Sequence, residues 1–161
     1  MVVILMGVSG SGKTTVGELL ASKMDWHFRD ADDFHPEENV AKMATGVPLT
    51  DEDRFPWLQI LAGEIARWIL SGENCILGCS ALKEKYREIL MGERPEVQLV
   101  YLQGSKELIG RRLQERVHRY MPATLLDSQF EALEEPQNAL NVDIGPTPKE
   151  IVRFIHRHLR V

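Results

Sequence analysis

Short apolar runs alternate along the chain with apolar residues that lie three or four positions apart. Residues 2–6 are apolar throughout, and residues 75–79 and 97–102 nearly so, as is typical of strands buried on both faces of a sheet. Residues 26–30 predict a shorter strand between the first two of these runs. The pattern therefore predicts four strands.

Helical spacing of apolar residues follows these runs. After Lys13, one helical face carries Val16, Leu19, Leu20 and Met24. Further helices are predicted over residues 36–44, 53–70 and 82–91. Another is predicted after Ser105, which can cap it, with Leu108, Ile109 and Leu113 on one side. The last is predicted after the capping sequence Thr147-Pro148-Lys149-Glu150, and its apolar face carries Ile151, Phe154, Ile155 and Leu159. Strands that alternate with helices predict an α/β fold with a parallel sheet covered on both faces.

Length and composition fit one globular domain over residues 1–161. Hydrophobic residues make up 43% and charged residues 27% of the chain, close to the globular average. The longest apolar run, Val2–Met6, is far below the roughly 20 residues that cross a bilayer, and it lacks the charged segment and cleavage site of a signal peptide. We expect a cytoplasmic protein that does not span a membrane.

The formal net charge of −5 narrows the ligands that the protein can bind. An acidic surface repels a nucleic-acid backbone, so no nucleic-acid partner is expected. Any polyanion must be small and held by a local positive site. Cys75 and Cys79 lie four apart without a second ligand pair nearby, which predicts buried free thiols rather than a metal site or a disulfide framework.

A glycine-rich sequence joins the first predicted strand to the first helix. It fits the phosphate-loop (P-loop) pattern G-x-x-x-x-G-K-[ST], in which glycines let backbone N–H groups surround phosphate oxygens and the helix N-terminus adds its dipole. Lys13 is expected to reach the β- and γ-phosphates of a nucleotide, and the Thr14 hydroxyl to bind Mg²⁺. The predicted cofactor-binding residues are Gly7, Val8, Ser9, Gly10, Ser11, Gly12, Lys13 and Thr14.

An acidic cluster, residues 30–33, follows the second predicted strand. In a doubly wound parallel sheet, the carboxyl ends of strands line the ligand crevice. Asp30 and Asp32 are two apart, so in extended backbone both would face the site while Ala31 points away. One carboxylate could then steady Mg²⁺ and the other could deprotonate an acceptor hydroxyl. A solvated acidic turn is the alternative.

An arginine-rich segment lies later in the chain. Arg112, Arg116 and Arg119 recur on one helical face, which indicates either a solvated basic surface or a lid that brings arginines over the γ-phosphate. The chain has no Asn-Lys-x-Asp signature of guanine-nucleotide switches, and an acidic chain of 161 residues leaves little room for a motor or helicase core. A small-molecule kinase fits these features best.

Short blocks of sequence that span nearly the whole chain identify a family. In chain order they are MGVSGSGK (6–13), DADDFHP (30–36), N (39), KM (42–43), PLTDEDR (48–54), PWL (56–58), CSALK (79–83), YR (86–87), SQFE (128–131) and LE (133–134). In this order and at this spacing, they resemble the gluconokinase family of small P-loop sugar-acid kinases.

The resemblance implies a three-layer P-loop kinase fold. Its features would be a five-stranded parallel sheet, helices on both faces and a helical lid at about residues 112–124. The implied reaction transfers the γ-phosphate of MgATP to the 6-hydroxyl of D-gluconate, giving 6-phosphogluconate and ADP. The family also suggests a homodimer.

The resemblance implies site residues as well. Asp32, Lys13 and Arg116 would be catalytic, Arg112 and Arg116 would join the P-loop in binding ATP, and Asp32, His35, Arg54, Lys83, Arg87 and Gln129 would bind gluconate. Gluconate is an anion with many hydroxyls, so a site rich in cations and hydrogen-bonding groups suits it. Two local alternatives stay open: Arg54 could pair with Asp51 or Asp53, and Lys83 and Arg87 could form an exposed helical turn.

One departure from the family pattern and one from the general P-loop pattern affect the site. Arg119 stands where the family lid usually has a His, so Arg112, Arg116, His118 and Arg119 all remain candidates for phosphate contact. Cys79 and Ser80 stand where an acidic Mg²⁺ ligand is expected, so Mg²⁺ would be held by Thr14, phosphates and waters, with Asp30 in its outer shell.

Two other functions remain open. A shikimate kinase shares the P-loop and the Asp-x-Asp arrangement, but it would normally carry a glycine triplet where residues 76–79 have one glycine. A regulatory module that binds nucleotide without catalysis is the other, and the retained acceptor-site residues argue against it.

Overall fold

The computed structural model describes residues 1–115 and 123–159. The strands are β1 (Val2–Met6), β2 (His27–Asp30), β3 (Cys75–Gly78), β4 (Val97–Gln103) and β5 (Leu140–Asp143). The helices are α1 (Lys13–Met24), α2 (Glu37–Ala44), α3 (Asp51–Ser71), α4 (Glu84–Met91), α5 (Lys106–Gln114), α6 (Ala123–Ala132) and α7 (Pro148–His158). A 3₁₀ turn, Ala31–Phe34, follows β2.

The five strands form one sheet in the order β2-β3-β1-β4-β5, and every pairing is parallel. Leu5 of β1 lies beside Gly78 of β3 and Val100 of β4. Because β1 lies between β3 and β4, the order of strands reverses there, and a crevice opens at the carboxyl end of β1. The predicted five-stranded α/β fold is confirmed.

Both faces of the sheet are covered by helices. Ile4 and Met6 point into a core with α3 and α4, whereas Val3 and Leu5 point into a second core with α1, α5 and α7. All four side chains are completely buried. This burial on both faces explains why β1 reads as an uninterrupted apolar run. Among the described helices, none is long and apolar enough to cross a membrane.

Several elements differ from the sequence-based expectations. The apolar stripes are narrower than predicted, because Leu19 is 38% exposed and Phe154 is 41% exposed, while Val152 is buried on α7. The helix predicted from residue 53 begins at Asp51, after a Thr50 cap. The apolar pattern did not predict β5, an edge strand in which Val142 alone is fully buried, or α6.

Asp53 connects the N-terminus of α3 to α2. Its carboxylate accepts a hydrogen bond from the backbone N–H of Thr50 at 2.8 Å, and the Thr50 hydroxyl accepts one from the N–H of Asp53 at 3.2 Å, which completes a capping box. Lys42 Nζ lies 2.5 Å from the same carboxylate. The hydrogen bonds from Lys42 and Thr50 lower the pKa of Asp53 from 3.8 to about 2.

Asp53→Asn should therefore lower the melting temperature in a pH-dependent way. The folded-state pKa lies below the unfolded value, so the stabilisation is complete above pH 4 and is lost as the pH falls toward 2. Thermal melts should give a gap between wild type and variant at pH 7 that closes in this acidic range. The matched control is Glu52→Gln, on the exposed side of the same turn. A gap that stays constant down to pH 2 would contradict the ion-pair explanation.

Candidate active site

The P-loop turns from β1 into α1 at the crevice. Gly10 and Gly12 have φ of +85° and +97°, in the left-handed region that favours glycine, and a Cβ on Gly10 would lie 2.8 Å from the Leu113 side chain. Gly12 precedes α1 without any side-chain cap, so the N–H groups of the first turn lack the usual side-chain acceptor. This geometry fits an anion such as a nucleotide phosphate.

The remaining P-loop groups support this turn. Ser11 is buried, with its N–H donating to the carbonyl of Val8 at 3.1 Å, and a Cβ on Gly7 would lie 2.6 Å from the Ser11 hydroxyl oxygen. Thr14, in the first turn of α1, is exposed toward solvent. Its position suits the predicted Mg²⁺ ligand.

Lys13 lies over the loop. Its Nζ donates to the carbonyl of Gly7 at 2.8 Å and to that of Val8 at 3.0 Å. Burial lowers the pKa of Lys13 from 10.5 to about 8, although electrostatic interactions with Cys79, Asp32 and Asp30 act in the opposite direction. A phosphate near Lys13 would favour its charged form.

Asp30 ends β2 in extended backbone, but Asp32 lies in the 3₁₀ turn that follows rather than in the extended backbone predicted from the sequence. Ala31 is buried and begins the 3₁₀ turn, and the Asp30 carboxylate caps this turn by accepting from the N–H of Asp32 at 2.9 Å. The Asp32 side chain is 80% exposed. Its carboxylate is therefore accessible to a substrate.

His35 lies beside Asp32. Its side chain is only 4% exposed and stacks on Trp57, with ring centroids 4.2 Å apart, and its Nε2 is 3.7 Å from Asp32 Oδ1. Asn39 Nδ2 donates to the carbonyl of Asp53 at 2.9 Å and lies 3.3 Å from His35 Nδ1. Because that carbonyl can only accept, the Asn39 atom is the NH₂ group, and Nδ1 must accept its second hydrogen.

This contact fixes the tautomer of His35. The ring proton is on Nε2, on the side of Asp32, and burial lowers the pKa of His35, which also favours the neutral ring. His35 is thus placed to orient the Asp32 carboxylate. The family block at residue 39 marked Asn39, but the contact between Asn39 and His35 could not be read from spacing.

A cationic cluster, formed by Arg54, Lys83 and Lys85, surrounds the Tyr86 ring at 5.7–6.0 Å from its centroid. All three cations approach the Asp51 carboxylate, at 3.9, 3.5 and 2.5 Å, and the Tyr86 hydroxyl donates to it as well. Hydrogen bonds from Lys85 and Tyr86 hold the pKa of Asp51 well below its usual range. The local pairing of Arg54 with Asp51 is therefore present. Because three cations share one carboxylate, the cluster keeps a net positive charge.

Arg87 and Gln129 make their hydrogen bonds with protein groups. Arg87 is 6% exposed, and its guanidinium donates to the carbonyls of Ala81, Leu82 and Glu134 at 2.8, 3.0 and 2.8 Å, so the alternative of an exposed helical turn is wrong for this residue. Gln129 makes two hydrogen bonds with Ser9. Both side chains are thus engaged by protein groups, and their contact with substrate stays a prediction.

The lid assignments are only partly described. Arg116, His118 and Arg119 lie outside the described residues. Arg112, on α5, points its guanidinium toward the carbonyl of Gly145 at 3.4 Å. Together with residues 10–12 and 145–148, it lines a cavity of about 320 Å³ beside the P-loop.

Comparisons with known proteins agree with this architecture. A family model described as shikimate kinase matches residues 9–140. A probable gluconokinase of Mus musculus is 44% identical and the match covers 99% of this chain and 97% of that protein; a gluconokinase of Gluconobacter oxydans is 41% identical, with 98% and 90% covered.

Solved structures give the same picture. The crystal structure of a gluconokinase from Sinorhizobium meliloti 1021 has a TM-score of 0.84 and 41% identity, and the match covers 94% of this chain and 86% of that one. A shikimate kinase from Aquifex aeolicus has a TM-score of 0.57 at 18% identity, which shows a shared fold alone. The near relatives are thus named for gluconate, and the shikimate kinase shares only the architecture.

The lowered pKa of Lys13 predicts pH-dependent nucleotide affinity. Bound phosphate favours the charged ammonium, so the affinity for ADP without metal should fall as pH rises above about 8, by up to about tenfold per pH unit. Calorimetric titrations between pH 7 and 9.5 measure this directly. Lys13→Met should weaken binding roughly 10–100-fold at pH 7 and abolish the pH dependence; Lys23→Met, on the exposed last turn of α1, is the control. Wild-type affinity that stays flat over this range would contradict the prediction.

Proposed function

This chain belongs to the gluconokinase family, and from that premise we propose that it transfers the γ-phosphate of ATP to the 6-hydroxyl of D-gluconate, giving 6-phospho-D-gluconate and ADP. The observation that carries this proposal is the pair of positive sites on one crevice. The P-loop with Lys13 suits phosphates, and the cationic cluster suits a carboxylate. Asp32 is within electrostatic range of Lys13, and its neighbour His35 is within range of Arg54.

Asp32 is the proposed general base. Its exposed carboxylate accepts the proton of the 6-hydroxyl as that oxygen forms a bond to the γ-phosphorus and the bond to the ADP oxygen breaks. Lys13 and the P-loop N–H groups stabilise the charge on the transferring phosphoryl group. Arg112, and Arg116 beyond the described residues, are proposed to add positive charge from the lid side.

Mg²⁺ is proposed to bind with the nucleotide, where it would neutralise negative charge on the phosphates. Within the described residues, no three His, Cys, Asp or Glu side chains come together as a metal site. The exposed hydroxyl of Thr14 suits direct coordination, and Asp30, held by its cap on the 3₁₀ turn, suits a role through water. Thr14 and Asp30 together fit a hydrated ion whose other ligands would be mainly phosphate oxygens.

Gluconate is proposed to lie between Asp32 and the cationic cluster. Arg54 and Lys83 would hold its carboxylate, which leaves the hydroxyl at the opposite end of the chain for Asp32. The cavity beside Arg112 is proposed to receive the nucleoside. A cytoplasmic location and a homodimer remain proposals from the family.

Shikimate phosphorylation is the second candidate, because the matching family model carries that name. Release of ADP from ATP should be measured with D-gluconate, shikimate, other sugar acids and nucleoside monophosphates as acceptors. We expect release with gluconate and none above background with shikimate. Activity on shikimate alone would overturn the substrate assignment, and no acceptor-dependent release would indicate a nucleotide-binding module without catalysis.

The role of Asp32 predicts a specific kinetic change. Asp32→Asn keeps the size of the side chain but cannot accept the proton, so kcat should fall by roughly 10²–10⁴-fold, while the affinity for nucleotide stays near that of wild type. Steady-state kinetics and nucleotide titration measure both. Asp33→Asn, an exposed neighbour on the same turn, should retain activity. Normal turnover in Asp32→Asn would refute the assignment.

A further inference from the structure

Residues 129–134, at the end of α6 and just after it, contact both sides of the crevice. We call this segment the brace. Its first residue, Gln129, contacts the P-loop, and its last, Glu134, contacts the loop between β3 and α4 that carries Lys83. The two loops are about 70 residues apart in sequence. A single short segment therefore joins the phosphate side to the acceptor side.

At the phosphate side, Gln129 makes a two-point contact with Ser9. The backbone N–H of Ser9 donates to Gln129 Oε1 at 2.6 Å, which identifies that atom as the oxygen. The other amide atom, Nε2, donates to the Ser9 hydroxyl oxygen at 2.9 Å. The Ser9 hydroxyl is thereby an acceptor toward Gln129, and its own hydrogen can donate to another acceptor. Gln129 thus fixes both the backbone and the hydroxyl of Ser9.

At the acceptor side, Glu134 holds the loop before α4. Its N–H donates to the carbonyl of Leu82 at 2.8 Å, and its carboxylate accepts from the N–H of Glu84, the first residue of α4, at 2.7 Å. Arg87 strengthens this contact because it bridges the carbonyl of Glu134 to those of Ala81 and Leu82. Lys83 lies between the residues that are held.

The loop needs this support. Ala81 has a φ of +45°, a left-handed conformation that is costly for a residue with a Cβ and persists when its surroundings fix it. The middle of the brace is also anchored, because Leu133 packs against both hydrophobic cores and Phe130 against one. The brace is thus held at both ends and in its centre.

We propose that residues 129–134 are a positioning element that fixes the spacing between the P-loop and the Lys83 loop, with Gln129 acting at the phosphate end and Glu134 with Arg87 at the acceptor end. Phosphoryl transfer needs the reacting atoms within a narrow range of distance, so a small shift of either loop is costly. The acceptor half of this inference rests on the proposed function; the phosphate half rests on the P-loop alone. Gln129 and Arg87 are positioning residues here, not substrate ligands.

The phosphate end is tested with Gln129→Ala. Loss of its two hydrogen bonds should weaken the binding of ATP, measured by calorimetry without acceptor, by about 3–10-fold, and should leave the KM for gluconate within about twofold of wild type. In a Ser9→Ala background, the same substitution should have a smaller effect, because one of the two bonds is already absent. Gln59→Ala, on the exposed face of α3, is the matched control.

The acceptor end is tested with Glu134→Ala and Arg87→Lys. Each should raise the KM for gluconate by about 3–10-fold and leave ATP affinity unchanged, and Glu134→Gln, which keeps an oxygen acceptor for the N–H of Glu84, should restore the wild-type KM. Glu88→Ala, exposed on α4 next to Arg87 and outside the brace, is the control. Glu134→Ala also keeps this test valid if Arg87→Lys fails to fold.

The two ends give distinguishable outcomes. Variants that weaken the binding of ATP and of gluconate equally, in proportion to a fall in melting temperature, would overturn the proposal. They would show that these residues have only a general structural role. Unchanged ATP binding in Gln129→Ala would overturn the phosphate end. If wild type does not use gluconate at all, the proposed function and the acceptor end fail together, whereas the calorimetric titration still decides the phosphate end.

Discussion

The structure depends on one turn of backbone, where the completely buried strand β1 ends and α1 begins. Gly10 and Gly12 adopt conformations that favour glycine, and the first turn of α1 has no side-chain cap. The N–H groups of this turn supply positive potential without adding formal charge. A protein with a net charge of −5 can therefore bind a polyphosphate at the carboxyl end of its central strand.

The charged side chains are divided between the two sides of the crevice. Lys13 lies over the P-loop, while the cationic cluster lies around Tyr86 and exceeds the charge of Asp51. His35 does not add to this positive charge, because Asn39 and burial keep it neutral beside Asp32. The base in the proposed mechanism is thus oriented by a neutral ring and remains open to an acceptor.

Local sequence predicted the parts of the site in which neighbours in the chain are also neighbours in space. The P-loop, the Ser105 and Thr147 caps and the strand β1 are of this kind, since spacing and residue type determine their geometry. Arg87 and Gln129 were predicted to contact substrate because their chemistry suits a sugar acid. The distant partners are the carbonyl of Glu134 for Arg87 and the N–H and hydroxyl of Ser9 for Gln129, and no periodicity in the sequence predicts such contacts. The 3₁₀ turn at Asp32 depends on the Asp30 cap, and the short edge strand β5 buries too little to produce an apolar run.

The central claim is that the two positive sites orient gluconate with its carboxylate on the cationic cluster and its far hydroxyl at Asp32. Proton-coupled ³¹P NMR of the reaction product identifies the phosphorylated carbon directly. The claim predicts one new phosphate ester whose phosphorus couples to the two methylene protons of carbon 6. Coupling to a single methine proton, or a mixture of esters, would contradict this orientation.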